Sequence, residues 1–80
     1  MKAKVHITLK SGVLDPQGKA IQNALQHLGF DGVDDVRQGK YIELKLSDSD
    51  PAKAKQRVSA MCEKLLANMI IENYSVEIAS

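Results

Sequence analysis

The chain has 80 residues, with eleven basic and ten acidic side chains and a formal net charge of +1. A chain of this length makes one domain, here residues 1–80, and buries only about 60% of its unfolded surface, so we expect association to supplement its stability. Balanced charge and few aromatic residues exclude a nucleic-acid interface and attraction to an anionic membrane. The single Cys62 rules out an internal disulfide framework and favours the cytoplasm. We find no apolar run of about 20 residues and no signal-peptide core.

The first third of the chain predicts a strand followed by a helix. Apolar and polar residues alternate from Lys2 to Lys10, which is typical of a strand with one buried face. Asp15 followed by Pro16 predicts a helix start, because aspartate caps free N–H groups and proline loses no bond at the first position. The helical spacing of apolar residues continues to about Leu28. Gly29 then predicts a left-handed residue in a Schellman ending.

The middle of the chain allows two interpretations around Gly39. Val33 and Val36 begin an extended stretch, and Lys40 to Leu46 alternates again. Gly39 either closes a hairpin between two short strands or bends one long strand at a bulge. We favour the hairpin.

The second half repeats the plan of the first. Asp50 and Pro51 predict a helix start, and the helix is expected to continue to about Ala67. Asn68 suits a left-handed residue that closes this helix. Alternation from Ile70 to Ile78 predicts the last strand.

These elements predict an α+β fold of the two-layer, ferredoxin-like βαββαβ type. Its antiparallel sheet would carry both helices on one face. Its open face would suit a partner sheet as readily as water, so we expect an oligomer. That face would carry Lys4, His6, Thr8, Arg37, Tyr41, Glu43, Lys45 and Glu77.

The residues do not predict a catalytic or nucleotide site. Gly12 and Gly18 are separated by five residues, whereas a P-loop has four, and Ala20 stands where that loop needs a hydroxyl. No cysteine or carboxylate stands at ligand spacing beside His6 or His27, so we expect no metal site. Cys62 lies beside the apolar stripe of the second helix and reads as a core residue. Gly12 and Gly18 still allow close approach by another backbone, which we expect to belong to a protein subunit.

Several motifs together resemble the PurS family, the small subunit of phosphoribosylformylglycinamidine (FGAM) synthase. The resemblance is carried by Leu9–Gly18, Ala24-Leu25-x-x-Leu28-Gly29-Phe30, Val36-Arg37-x-Gly39-Lys40, Met61-Cys62-x-x-Leu65-Leu66-Ala67-Asn68 and Ile71-Glu72-x-Tyr74. It covers nearly the whole chain. One departure is Met69, where the family usually has proline, and it leaves the second helix free to run on by a residue or two.

The resemblance implies a non-catalytic subunit of a ligase in the fourth step of de novo purine biosynthesis. The complex uses ATP, Mg²⁺ and glutamine, and this chain is expected to bind no cofactor or metal itself. Its implied partners are the glutaminase subunit, the large synthetase subunit and further copies of itself, as a dimer or higher homo-oligomer. The small subunit would bridge the two larger ones and support ammonia transfer between them.

We predict that partner contacts concentrate in the loop Lys10–Gly18 and the turn around Gly39, with Tyr41 serving self-association. The candidate interface residues are Lys10, Gly12, Asp15, Gln17, Gly18, Arg37, Lys40, Tyr41 and Asn68. Arg37 and Lys40 are expected to pair with carboxylates of a larger subunit. Two alternatives of the same architecture stay open, since fold alone does not determine function. One is a regulatory domain that binds a small metabolite at a dimer interface, and the other is a small acyl-phosphate hydrolase.

Overall fold

The computed structural model describes residues 1–79, which form three strands, two helices and a π-helical turn. In chain order these are β1 (Lys2–Leu9), α1 (Pro16–His27), β2 (Lys40–Lys45), α2 (Pro51–Met61), the π-helical turn (Cys62–Leu66) and β3 (Glu72–Ala79). The three strands form one antiparallel sheet in the order β2-β1-β3. The predicted α+β class and its ferredoxin-like layout are confirmed.

The core lies between the sheet and α2. Alternation in β1 places Ala3, Val5 and Ile7 on one face, where all three are fully buried. We call this the inner face of the sheet. Helix α2 packs across β1 and β3 there and buries Val58. Cys62, in the π-helical turn, is fully buried in the same cluster, as predicted for a core residue.

Both predicted helix starts and the first helix ending are confirmed. The Asp15 side chain accepts a hydrogen bond from Gly18 N, and the Asp50 side chain accepts one from Ala52 N. Gly29 has a φ of 92°, the left-handed conformation that glycine adopts without a steric penalty. Phe30 N donates to Leu25 O and Gly29 N donates to Gln26 O, which is the pair of bonds that defines a Schellman ending.

The predicted strand before Gly39 does not form, so both interpretations of that stretch were wrong. Residues 30–39 have no regular structure, and β2 begins at Lys40. The backbone groups of the segment are bound by side chains from elsewhere. Gln22 Nε2 donates to Val33 O and Asp34 O, and Gln38 N donates to the Asp15 carboxylate. These bonds replace the strand ladder that a hairpin would need.

The prediction that both helices lie on one face of the sheet was wrong for α1, which does not lie beside α2. Within residues 1–79 it packs extensively against no strand, and its apolar residues Ile21 and Leu28 are exposed. Helix α1 and the return segment instead project from the end of the sheet. We call residues 16–39 the arm. The molecule is therefore long, with extents of 48 × 26 × 14 Å.

The end of the second helix also differs from the prediction. The α-helical part stops at Met61, and Ala67 N donates to Cys62 O in the π-helical turn. Because no residue other than glycine has a positive φ in the part of the chain described, Asn68 is not left-handed. Its side chain accepts from Ile70 N instead, forming a local turn. The helix does not run on toward Met69.

The difference between the two helices can be tested with a matched pair of isoleucines. We expect Ile7→Ala to lower the free energy of unfolding by about 2–5 kcal/mol, because it empties a fully buried site. Ile21→Ala should cost less than about 1 kcal/mol in the monomeric chain, because α1 is uncovered there. Urea unfolding at low protein concentration measures both values. Equal losses at the two positions would contradict an exposed α1.

Candidate functional site

The predicted interface residues gather at one end of the sheet, where β1 ends and where β2 and β3 begin. Ile7 pairs with Lys40 and Leu9 pairs with Glu72, so both edge strands start beside the last residues of β1. The loop Lys10–Gly18 leaves from this end, and Lys10 N donates to Ile71 O in the corner before β3. We call this the junction end. It brings together segments that are 30 to 60 residues apart in the chain.

Asp15 joins the start of α1 to the segment before β2. Its Oδ1 accepts from Gly18 N at 2.8 Å, and its Oδ2 accepts from Gln38 N at 2.8 Å. Only 9% of the residue is exposed. The hydrogen bond from Gly18 N, followed by that from Gln38 N, lowers the pKa of the Asp15 carboxyl, and the charge of Arg37 adds to the effect. Asp15 is therefore both a helix cap and a link across the junction end.

Arg37 binds backbone carbonyls of the same loop and of the end of β1. Its Nη1 donates to Val13 O at 3.1 Å, and its Nη2 donates to Lys10 O at 2.9 Å and Leu9 O at 3.5 Å. The guanidinium therefore holds three carbonyls of its own chain. Its predicted pairing with a carboxylate of a larger subunit stays a prediction. We call Asp15, Arg37 and the backbone groups they bind the clasp.

Gly18 confirms the predicted close approach of another backbone. A Cβ atom at this position would lie 2.2 Å from Val36 O. The approaching backbone belongs to the return segment of the arm, and so the expectation that it belongs to another subunit was wrong for Gly18. Gly39 shows the same constraint, since a Cβ there would lie 2.3 Å from Ile7 O. Gly12 has open space and a positive φ, so it serves the turn.

Lys40 and Asn68 meet at Glu72 on the other side of the junction end. Lys40 Nζ lies 3.5 Å from Glu72 Oε2, and Asn68 N donates to Glu72 Oε1 at 2.7 Å. Glu72 is nearly buried and fixes the corner before β3. A surface depression of about 470 Å³ lies between this corner and the start of α1, with Asp15, Gln17, Lys40 and Glu72 in its lining. Most of the predicted residues thus surround one place.

Tyr41 lies apart from the clasp, on the outer face of the sheet. Its hydroxyl donates to Glu43 Oε2 at 2.8 Å, and its ring contacts the His6 ring with centroids 4.9 Å apart. The hydrogen bond to Glu43 raises the pKa of the Tyr41 hydroxyl. Half of the side chain stays exposed. Tyr41 is therefore oriented by its neighbours and accessible.

Three residues of the junction were missed from the sequence: Gln22, Gln38 and Glu72. Each acts through a contact with a distant part of the chain, which no local pattern reveals. Glu72 had one signal, because it stands within the last motif of the family resemblance.

The part of the chain described, residues 1–79, holds no group of three or more histidine, cysteine or acidic side chains that could bind a metal ion. Within the same residues, no helix is long and apolar enough to span a membrane. The chemistry at the junction end is that of backbone-binding side chains on a folded surface.

Comparisons with known proteins agree over nearly the full chain. Residues 2–80 match the family model described as PurS: Phosphoribosylformylglycinamidine (FGAM) synthase. The chain belongs to the PurS family. A PurS subunit from Synechocystis sp. is 53% identical over 77 residues, which cover 96% of this chain and 77% of that protein. PurS from Bacillus subtilis is 51% identical over 96% of this chain and 90% of its own length.

Solved structures match as well as sequences do. A crystal form of B. subtilis PurS has a TM-score of 0.87 and 49% identity, covering 99% of this chain and 98% of that chain. A chain of the Thermotoga maritima PurLQS structure has a TM-score of 0.87 and 33% identity, covering 95% and 93% of the two chains. The protein is thus a subunit of FGAM synthase, an enzyme of purine biosynthesis.

The close approach at Gly18 gives a test of the junction geometry. In a helix, Gly→Ala ordinarily stabilises by about 0.5–1 kcal/mol. We expect Gly18→Ala instead to destabilise by about 1–3 kcal/mol, because the new methyl group would collide with Val36 O. Lys19→Ala on the same turn is the control and should change the free energy of unfolding by less than about 0.5 kcal/mol. Stabilisation by Gly18→Ala would show that the return segment does not lie against α1.

Proposed function

We propose that the chain bridges the glutaminase and synthetase subunits of FGAM synthase and supports ammonia transfer between them. The observation that carries the proposal is the full-length match to a chain of the three-part PurLQS structure. In this proposal the larger subunits supply the ATP, Mg²⁺ and glutamine chemistry of the ligase. The small subunit supplies alignment, which keeps a reactive intermediate from escaping to water.

The junction end has the surface properties that a bridging role requires. Leu14, Leu65 and Ile70 are 82%, 84% and 84% exposed on the loop, the π-helical turn and the corner before β3. Apolar side chains that together form an exposed patch mark an interaction site. The clasp binds the backbone at Val13, next to Leu14, and the contacts of Glu72 and Asn68 hold the turn that contains Ile70. We propose that this end contacts a larger subunit.

The chain also exposes more surface than a compact monomer of its mass. It exposes 5747 Å², against about 4,800 Å² expected for 8.8 kDa, an excess of roughly 1,000 Å². Its radius of gyration is 15.9 Å, where a compact chain of this length has about 11.6 Å. A stable interface removes about 800 Å² from each partner. The excess is therefore what one self-association interface would bury.

The uncovered surfaces of one chain complement each other. Helix α1 exposes Ile21 and Leu28, and no helix packs extensively against β2 in the part of the chain described, where Ile42 and Leu44 remain partly exposed. In a two-fold pair, α1 of each copy would cover β2 of the other, so one contact would bury both surfaces. We propose a homodimer of this kind. The outer face around Tyr41 stays a predicted contact for a higher oligomer.

Complex assembly is tested by charge insertion at the junction end. We expect Leu14→Glu and Ile70→Glu each to weaken co-elution with the larger subunits by about tenfold or more, since a buried unpaired charge is costly. Lys55→Glu, on the exposed side of α2, is the control and should assemble normally. Leu14→Glu and Ile70→Glu should also lose glutamine-dependent FGAM formation, whereas the activity with added ammonium should persist. Full glutamine-dependent activity in the absence of this chain would refute the bridging proposal.

Self-association is tested by sedimentation of three variants. Leu28→Asp should raise the dimer dissociation constant by about tenfold or more, because it places a charge in the proposed contact. Leu14→Asp, which is equally apolar and exposed but lies at the junction end, should leave the dimer intact. Tyr41→Glu should reduce only species larger than the dimer. A dimer unaffected by Leu28→Asp would exclude α1 from the contact.

A further inference from the structure

The arm leaves and returns at the same end of the sheet. Chain segment 10–15 follows β1, α1 runs outward, and residues 30–39 come back to β2. Gln22 Nε2 donates to Val33 O and Asp34 O, so the outgoing helix and the return segment are bound to each other. These bonds join the two sides of the arm, so its direction depends on the contacts at its base.

The clasp is the set of bonds that crosses this base. Asp15 ties the first turn of α1 to Gln38, and Arg37 ties the return segment to the carbonyls of Leu9, Lys10 and Val13. Gly18 allows the helix to lie directly on Val36 O. A rotation of α1 toward the sheet would separate Asp15 from Gln38 and break these bonds.

A closed form of the same chain is long enough to be built. The 12 residues of α1 span about 18 Å, and ten returning residues reach up to about 33 Å. The six residues of β2 span about 20 Å, so α1 could lie along the inner face of its own β2. That position is open, because no helix packs extensively against β2 in the part of the chain described, and Ile42 and Leu44 there remain partly exposed. The closed form would carry two helices on one face, as the sequence pattern predicts.

We propose that the clasp is a conformational device that holds the arm open. The clasp stabilises the open form, in which α1 can contact a second copy. It thereby disfavours the closed form, in which α1 covers β2 of its own chain. The role of the open arm, contact with a second copy, rests on the proposed self-association. The open direction itself is a property of one chain, and we can measure it in a monomer.

The test is an intrachain distance between the arm tip and the far end of β2. Spin labels are placed at Asp31→Cys and Lys45→Cys in a Cys62→Ala background, and labelled chain is diluted into excess unlabelled chain. The open form should give a distance of about 35–40 Å, the summed lengths of α1 and β2, and the closed form less than about 20 Å. Because only one chain is labelled, oligomerisation does not contribute.

Two clasp variants are compared with two matched controls. Asp15→Asn keeps an oxygen for Gly18 N and loses the anionic acceptor for Gln38 N, and Arg37→Met removes the guanidinium. Asp50→Asn changes the other aspartate cap, and Arg57→Met removes an exposed arginine that pairs with Asp48. We expect a short-distance population in both clasp variants, increased about tenfold over wild type for each charge-assisted hydrogen bond lost, and none in the controls.

Two outcomes would contradict the proposal that the clasp holds the arm open. An unchanged long distance in both clasp variants, or a broad distribution without a short peak, would show that no closed form exists. If Arg37→Met fails to fold by circular dichroism, Arg37→Lys, which keeps the charge but lacks the fork of donors, takes its place. If the wild-type chain sediments as a monomer, the proposed dimer is wrong. The intrachain distance would still test whether the clasp holds the arm open.

Discussion

Two backbone amides converge on the Asp15 carboxylate, and the path of the arm, residues 16–39, depends on that convergence. One amide, from Gly18, belongs to the first turn of α1, and the other, from Gln38, belongs to the last residues before β2. A carboxylate has enough lone pairs to accept both, whereas a serine or threonine cap offers a single oxygen. Asp15 therefore starts the helix through a local hydrogen bond. It also fixes the direction of that helix through a hydrogen bond to a distant part of the chain.

The direction of α1 has consequences for the core. A three-stranded sheet with one helix across β1 and β3 buries few large side chains, and the fully buried ones are Val5, Ile7, Val58 and Cys62. The β2 part of the inner face is only partly buried, because no helix packs extensively against it in residues 1–79. A domain of this size has little stability to lose, so the uncovered face favours a partner by simple hydrophobic free energy. In the proposed dimer, the open direction of α1 would both leave this face uncovered in one chain and supply the helix that covers it in the other.

Local patterns predicted the parts of this fold that depend on local chemistry. The two Asp-Pro helix starts, the Gly29 ending and the inner face of β1 are each determined by residues within a few positions of each other. The residues around Gly39 looked like a strand because Val33 and Val36 are β-branched. In the structure, backbone groups of this segment instead form hydrogen bonds with the side chains of Gln22 and Asp15, which come from distant parts of the sequence. The left-handed conformation predicted for Asn68 was wrong for a related reason, because bonds to Glu72 and Ile70 hold it in a turn.

For the candidate site, the sequence predicted which residues lie together but not what each of them binds. Motif resemblance selected residues that the structure does bring to one end of the sheet, including Asp15, Arg37 and Lys40. It assigned Arg37 to a partner, whereas the guanidinium binds three carbonyls of its own chain. A residue that shapes a surface is as necessary to assembly as one that touches the partner, and the sequence pattern alone does not separate these two roles. In the bridging proposal, the exposed leucine and isoleucine side chains would be the contacts, and the charged motif residues would be the framework that presents them.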